Sequence, residues 1–168
     1  MSQGRMIFYI VAFILIGIFW SIGGSTISDY APYYVQRALG QSAHITIGSD
    51  VVKAEVERSN SAHQKGLSGR HEFMYDHGML FVFSSASAYE FWMKDMHFNL
   101  DMVWIRNATI VYISRNVPAP AKDAAPATVT PTEAADTVLE VRAGAAAMWK
   151  VGDPVDVQYD RFFFRNPA

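Results

Sequence analysis

The stretch that decides the fold runs from residue 78 to residue 105 and reads "GMLFVFSSASAYEFWMKDMHFNLDMVWI". Its short runs are rich in aromatic and β-branched residues, and turn-forming pieces such as "SSAS" separate them. This composition is typical of β-strands joined by turns. Two charged residues, Lys94 and Asp101, stand among the apolar ones. They either form a reactive site or neutralise each other inside a sheet, and the interpretation of the function depends on which is true.

The sequence on both sides extends this β pattern. Before it, "HITIGS" and "VVKAEVERS" alternate apolar and polar residues around residues 48–50, which predicts a hairpin. The piece "SNSAHQKGL" predicts a short helix that begins at Ser59 or Asn60 and ends at Gly66. From residue 78 onward, four strand-like runs follow one another and predict an antiparallel meander: "GMLFVF", "YEFWMK", "LDMVWIR" and "TIVYISR".

The C-terminal part completes the predicted domain. Residues 117–137 contain four prolines and little hydrophobic periodicity, so we expect an irregular loop. Residues 143–149 predict a second short helix before the last strand, and residues 161–168 form a tail. The sequence therefore predicts a mainly β (β-rich α+β) domain over residues 44–160. We expect a compact barrel-like or folded-over antiparallel sheet with one or two short helices.

The N-terminal segment predicts a membrane anchor over residues 1–23. Residues 6–22, from Met6 to Ile22, carry no charge and would span roughly 26 Å as a helix, enough for the hydrocarbon core of a bilayer. Arg5 precedes the segment and Asp29 follows it, which favours a cytoplasmic N-terminus and a single pass. The domain would then lie outside the cytoplasm, joined by a juxtamembrane linker or short helix over residues 24–43. The alternative is a cleaved signal peptide and a secreted protein.

Composition excludes several classes of function. The net charge is −2, and no run of lysines or arginines could follow a nucleic-acid backbone, so we expect no nucleic-acid partner. With no cysteine there is no disulfide and no thiolate metal site. The histidines do not show the spacing of a helical metal-binding pair; they lie at positions 44, 63, 71, 77 and 97. We therefore predict neither a metal nor a cofactor.

The first interpretation of the two charges is structural. Asp101 begins a strand face that continues with Val103 and Ile105, so its carboxylate would be costly to bury alone. A cation from a neighbouring strand would relieve that cost. Lys94, across the connecting loop, is the expected partner, and Arg70 is a second candidate.

The second interpretation is a ligand-binding cleft. Lys94 or Arg70 would hold an anionic or polyhydroxyl ligand, and Asp101 would orient it. The predicted ligand-binding residues are Arg70, Met79, Phe81, Trp92, Met93, Lys94 and Asp101. Catalysis by the same groups is less favoured because neither a nucleophile nor a second acid is visible, so no catalytic residue is predicted.

Several motifs in their order along the chain resemble the bacterial and archaeal family catalogued as domain of unknown function 192 (DUF192). The motifs are "GL..R" at Gly66, Leu67 and Arg70, "GMLFVF" at 78–83, "FWMK" at 91–94, "LDM" at 100–102 and "VGD" at 151–153. The resemblance covers roughly residues 44–158. It implies a small, mostly β domain that commonly follows a signal peptide or anchor, and it brings no established activity.

The resemblance also implies which positions recur in the family. The recurring charged positions fall on Arg70, Lys94 and Asp101. The recurring apolar positions fall on Leu67, Met79, Leu80, Phe81, Trp92 and Met93. Two departures are visible, because Ser68 stands where a methionine is usual and Asn99 where a proline is usual.

The predicted function is a non-catalytic binding or accessory module of the cell envelope. Its ligand would be a small polar molecule, a glycan or an envelope protein, and its N-terminal segment would contact membrane lipid. One alternative is a hydrolase or transferase that uses Asp101 with His77 or His97, and another is a purely structural accessory subunit. An enzyme should place Asp101 in an open pocket, whereas a binder should expose Trp92 or Phe81 in a cleft and a scaffold should present a flat apolar patch.

Overall fold

The structure is a computed structural model that describes residues 42–160. The predicted anchor, nearly all of the linker and the C-terminal tail lie outside these residues. Within residues 42–160, no helix combines the length and the apolar character that crossing a bilayer requires.

The described part of the chain is mainly β, as the sequence predicts. It has one α-helix, α1 (Asn60–Lys65), between the second and third strands. The strands are β1 (Ser42–Ile47), β2 (Asp50–Glu57), β3 (His77–Ser87), β4 (Phe91–Trp92), β5 (Leu100–Arg106), β6 (Thr109–Val117), β7 (Thr128–Val129), β8 (Ala135–Arg142) and β9 (Val155–Tyr159).

Seven strands form one curled, half-barrel sheet in the order β6-β5-β8-β3-β2-β1-β9, and β4 and β7 form a separate small pair. The predicted meander is wrong, because β8 lies between β3 and β5 and pairs with both. The irregular segment 117–137 is long enough to carry the chain to that position. The sheet is also not purely antiparallel, since β2 and β3 run parallel. Helix α1 and the loop after it provide the longer connection that a parallel pair needs.

The β1–β2 hairpin and helix α1 form where the sequence predicts them. The predicted hairpin joins β1 to β2, and Ile47 pairs with Asp50 across its turn. Helix α1 begins after Ser59, whose hydroxyl accepts a hydrogen bond from the backbone N–H of Ala62 at 3.2 Å. It ends at Gly66, which has a φ of 49°.

The second predicted helix does not form. Residues 143–149 make successive turns, in which the N–H of Ala147 donates to the carbonyl of Gly144 and the N–H of Trp149 donates to that of Ala146. Gly144 has a φ of 93°, which is incompatible with a continuous α-helix. The sequence of small residues favoured a helix, but these turns follow the end of β8 and face the sheet.

The sheet carries an apolar core on each face. The first core contains apolar residues from all seven strands of the sheet together with Ala146 and Trp149; its strand residues include Ile45, Val56, Leu80, Val103, Ile110, Leu139 and Val155. The second core lies under the loops and includes Leu67, Phe73, Met79, Phe81, Phe91, Met93, Met102, Trp104 and Val138. Because side chains alternate along a strand, neighbouring residues of β3, β5 and β8 belong to different cores.

Candidate functional site

A row of acidic side chains crosses the sheet on the side of the second core. Met79 of β3 pairs with Glu55 of β2 on one side and with Glu140 of β8 on the other. Paired residues direct their side chains to the same face, so Glu55 and Glu140 flank Met79. Glu57 follows two residues after Glu55 and shares that face. All three glutamates are buried.

Arg70, in the loop after α1, binds Glu55 through a two-point ion pair. Its Nη1 donates to Oε1 of Glu55 at 2.7 Å and its Nη2 donates to Oε2 at 2.5 Å. The Glu55 side chain is 5% exposed and that of Arg70 is 27% exposed. Burial alone would lower the pKa of Arg70. The hydrogen bonds and charge of Glu55, together with the charges of Glu57 and Glu140, outweigh burial and raise this pKa.

Glu140 is the exceptional member of the row. Burial raises the pKa of its carboxyl group to about 8, although the charge of Arg70 opposes this shift. Its side chain lines a narrow crevice with Leu67, Phe81 and Trp92. The carboxyl group is therefore neutral at pH 7.

An aromatic cleft of about 270 Å³ lies next to this crevice. It is lined by His63, Gln64, Phe83, Tyr89, Glu90, Phe91 and Trp92. Phe83 and Tyr89 stack with their ring centroids 3.6 Å apart. Trp92 is 47% exposed, and Nζ of Lys94 lies 5.3 Å from the centroid of the Trp92 ring. The cleft thus combines ring faces with polar groups at its rim.

The predicted ion pair between Lys94 and Asp101 is wrong. Asp101 is 1% exposed, and its Oδ1 accepts a hydrogen bond from the N–H of Asn116 at 2.8 Å. Its Oδ2 accepts from the N–H groups of Gly144 and Ala146 at 2.9 Å and 3.0 Å. Backbone amides, which carry partial positive charge, thus replace the expected cation. Lys94 is exposed beside Trp92 instead.

The seven predicted ligand-binding residues do not share one cleft. Met79, Phe81 and Met93 are buried in the second core, so only the edge of Phe81 reaches the crevice. Trp92 lies at the surface, where it lines both the cleft and the crevice. Asp101 pairs with Val141 of the first core and faces the opposite side of the sheet from Met79.

The acidic row is not among the features that the sequence predicts. Alternation in "VVKAEVERS" suggests that Glu55 and Glu57 face solvent, because nothing local indicates that loops cover this face. The available signal was Glu140, an acid within the apolar run "VLEV" of residues 138–141. A carboxyl group in the middle of a buried strand requires either a partner or a function.

The geometry required by the enzyme hypothesis is not present at Asp101. Its carboxylate is buried and bound by backbone amides. The ring of His97 stacks on His71 with centroids 4.0 Å apart, while Nδ1 of His77 lies 2.8 Å from Oδ1 of Asp76. Among residues 42–160, no group of three or more histidines and carboxylates is arranged to hold a metal ion.

The sequence model of the DUF192 family, described as uncharacterized ACR, matches residues 43–157 of the chain. The chain belongs to the DUF192 family. Its match begins at β1 and ends in β9, so the DUF192 domain is the whole seven-stranded sheet together with the loops that cover it. A comparison with curated proteins found no significant match.

Two crystal structures resemble this DUF192 domain. One is a protein of Sinorhizobium meliloti 1021, provisionally described as a transcription regulator, with 28% identity and a TM-score of 0.60; the match covers 69% of this chain and 92% of that one. The other is a protein of unknown function from Novosphingobium aromaticivorans DSM 12444, with 28% identity and a TM-score of 0.58. That match covers 68% of this chain and 83% of the other.

Arg70→Ala is expected to lower the free energy of unfolding by about 2 kcal/mol, because it removes the two-point partner of the buried Glu55 carboxylate. The loss stays below that of a fully buried pair, since Arg70 is partly exposed. Arg70→Lys should recover less than half of it, because an ammonium group cannot form the same fork. The measurement is urea unfolding, with Arg106→Ala at an exposed position as the control. Equal stability of Arg70→Ala and Arg106→Ala would contradict the assigned role.

Proposed function

We propose that this DUF192 domain is a non-catalytic binding module of the cell envelope that holds one sugar unit, or a similar small polyhydroxyl ligand, in its aromatic cleft. The observation that carries the proposal is Trp92. This large ring stands 47% exposed at the cleft of about 270 Å³, although the rings behind it are packed into the second core. An exposed tryptophan beside a concave surface is typical of a binding site.

The lining of the cleft suits a sugar in two respects. The apolar face of a sugar ring can lie against an aromatic ring, and Trp92, Phe83 and Tyr89 provide such rings. Hydroxyl groups at the ring edge require both donors and acceptors, which the Gln64 amide and the Glu90 carboxylate supply. Oε2 of Glu90 accepts a hydrogen bond from the Thr130 hydroxyl at 3.0 Å, which favours a fixed orientation of this acceptor.

Trp92 is supported from two sides. Nζ of Lys94 lies 5.3 Å from the centroid of its ring. The strand β4 that contains Trp92 pairs with β7, where Trp92 is opposite Thr128. Phe91, the preceding residue, is buried against the rings of Phe81 and Trp104. A fixed tryptophan loses little conformational freedom when a ligand binds, which favours affinity.

The cellular setting belongs to the same proposal. The uncharged segment 6–22 supports a single-pass anchor with the domain outside the cytoplasm, and a secreted form after cleavage is the alternative. Nucleic acid is not proposed as a partner, because the net charge is −2 and the chain has no run of basic residues. For the same reason, the role in transcription that the description of the Sinorhizobium meliloti protein names is not proposed for this chain.

Glucose is the probe for the cleft. We expect a saturable shift of the ¹⁹F resonance of Trp92 when glucose is added to the full-length chain, labelled with 5-fluorotryptophan, in detergent micelles. Trp149 is buried in the first core, on the other face of the sheet, so its resonance serves as the internal reference. By calorimetry, Trp92→Ala should weaken glucose binding by roughly tenfold, because stacking on the ring is lost. Tyr75→Ala removes another exposed aromatic side chain, which lies outside the cleft, and is the control. If glucose leaves Trp92 unshifted, the sugar-binding proposal fails.

Fractionation of bacteria that express the full-length chain tests the cellular setting. A single-pass anchor predicts that the chain stays in the membrane fraction after an alkaline wash and that protease added to spheroplasts digests the domain. A soluble extracytoplasmic product that lacks the segment 6–22 would support the secreted form instead. Protection of the domain from added protease in intact spheroplasts would contradict both forms.

A further inference from the structure

A narrow crevice beside the aromatic cleft ends at Glu140. The crevice and the cleft share His63, Gln64 and Trp92, so the two spaces adjoin at the C-terminal half of helix α1. The space in the crevice is about 10 Å³, which is room for one group of the size of a water molecule or an ammonium group. A ligand that occupies the cleft could therefore extend one small group towards Glu140.

Glu140 has no hydrogen-bonding partner in the described chain. Its side chain is 4% exposed, and no residue between 42 and 160 forms a hydrogen bond or ion pair with its carboxyl group. Arg70 influences it electrostatically, but both terminal nitrogens of Arg70 donate to Glu55. A buried polar group without a partner is unfavourable, and such groups are concentrated at functional sites.

Gly66 leaves the approach to this carboxyl group open. A Cβ atom at residue 66 would lie 3.9 Å from Oε2 of Glu140 and 3.4 Å from Cζ of Phe81. Any larger side chain there would narrow the crevice between the ring and the carboxyl group. Gly66 also has a positive φ, so the residue that ends helix α1 is the one that leaves this space.

The charges around Glu140 favour a cation over an anion. Glu55 and Glu57 of β2 share the sheet face of Glu140, His63 and Lys65 line the crevice from α1, and Arg70 lies in the following loop. Arg70 already binds Glu55, so the group that a ligand meets at the end of the crevice is the Glu140 carboxyl group, which repels an anion when ionised and attracts a cation. Burial raises the pKa of Glu140 to about 8, and a nearby cation would favour the ionised form.

We propose that the ligand of the aromatic cleft carries a primary ammonium group, which enters the crevice and forms an ion pair with Glu140. The inference rests on the proposed function and narrows its ligand class to amino sugars with a free amine. Trp92 also lines the crevice, and the face of an indole ring attracts a cation. On binding, the neutral Glu140 carboxyl group releases its proton to solvent, and the ammonium group keeps its three protons as donors.

Comparing glucosamine with glucose tests the ammonium group in the full-length chain in detergent micelles. By calorimetry, we expect glucosamine to bind roughly tenfold more tightly than glucose, because one ion pair is added. In Glu140→Gln the two affinities should become equal. At pH 6, glucosamine binding should release close to one proton in the native chain and none in the variant, measured in buffers of different ionisation enthalpy. Equal affinities in the native chain, or an advantage that persists in Glu140→Gln, would overturn the inference.

Methylammonium separates the crevice from the cleft, because it carries the ammonium group without a sugar ring. Saturating methylammonium should lower the pKa of Glu140, followed by the ¹³C carboxyl resonance that Glu140→Gln removes. Tetramethylammonium at the same concentration is too large for the crevice and should leave the resonance unchanged. A methylammonium response without glucose binding would reject the sugar cleft and support the ammonium site. Glucose binding with neither a methylammonium response nor a glucosamine advantage would reject the ammonium site alone.

Discussion

Replacing Asp101 with alanine is expected to lower the free energy of unfolding by about 4 kcal/mol. The substitution leaves three backbone N–H groups without their acceptor, those of Asn116, Gly144 and Ala146. An unsatisfied buried donor costs about 1–3 kcal/mol, and partial relaxation of the turns should recover some of the sum. Asp101 is 1% exposed, so water cannot replace the carboxylate without a rearrangement of this region. Urea unfolding followed by circular dichroism measures the loss.

Two further variants separate the role of Asp101 from a general effect of losing a charge. Asp101→Asn keeps one acceptor oxygen but directs an amide N–H₂ towards the other backbone donors, so it should lose about 2–3 kcal/mol. Asp156→Ala removes an exposed aspartate whose side chain accepts a hydrogen bond from the side-chain amide of Gln158, and it should stay within about 0.5 kcal/mol of the native chain. If Asp101→Ala matches Asp156→Ala, the three-amide site does not stabilise the fold.

Replacing Glu140 with glutamine is expected to stabilise the protein, increasingly so at higher pH. Glutamine has nearly the same shape but no ionisable group. Burial raises the pKa of Glu140 from 4.5 to about 8 in the folded state. Below pH 4.5 the carboxyl group is neutral in both states, so the native chain pays no ionisation penalty. The penalty is nearly complete at pH 8 and reaches its full size about one pH unit higher, on the order of 5 kcal/mol.

The raised pKa of Glu140 determines the direction in which the free energy of unfolding changes with pH. Between about pH 4.5 and pH 8 the folded state holds a proton on Glu140 that the unfolded state has released, so stability falls as pH rises. The contribution of Glu140 to the slope is about 1.4 kcal/mol per pH unit and should vanish in Glu140→Gln. Urea unfolding of both chains at pH 4, 6 and 8 measures the difference. Glu133→Gln, at an exposed position, is the matched control and should follow the native chain. A constant difference between native and Glu140→Gln across this range would contradict the buried neutral carboxyl group.

The elements that the sequence predicted well are those with local causes. Helix α1 follows from the hydroxyl of Ser59 and the conformation of Gly66, which act within one or two turns. The hairpin between β1 and β2 follows from its turn residues. Alternation also placed Asp101, Val103 and Ile105 on one face, as their pairing with residues of β8 confirms.

The errors concern partners that are distant along the chain. Asp101 binds amides that lie 15, 43 and 45 residues away, and no local pattern indicates which segment returns to it. The predicted strand face of Asp101 is correct, but backbone N–H groups bind its carboxylate in place of the expected Lys94. The helix expected at residues 143–149 failed for a related reason, because Gly144 and the contact with Asp101 favour turns.

By itself, the sequence determined the β class of this DUF192 domain, its first helix and hairpin, and which residues within a strand share a face. These features depend on side-chain periodicity and on capping within a few residues. Only the tertiary structure decided that β8 lies between β3 and β5, which brings Glu140 and Glu55 to either side of Met79. Strand order depends on the free energy of burying whole faces against one another, and that quantity has no signature in any single segment.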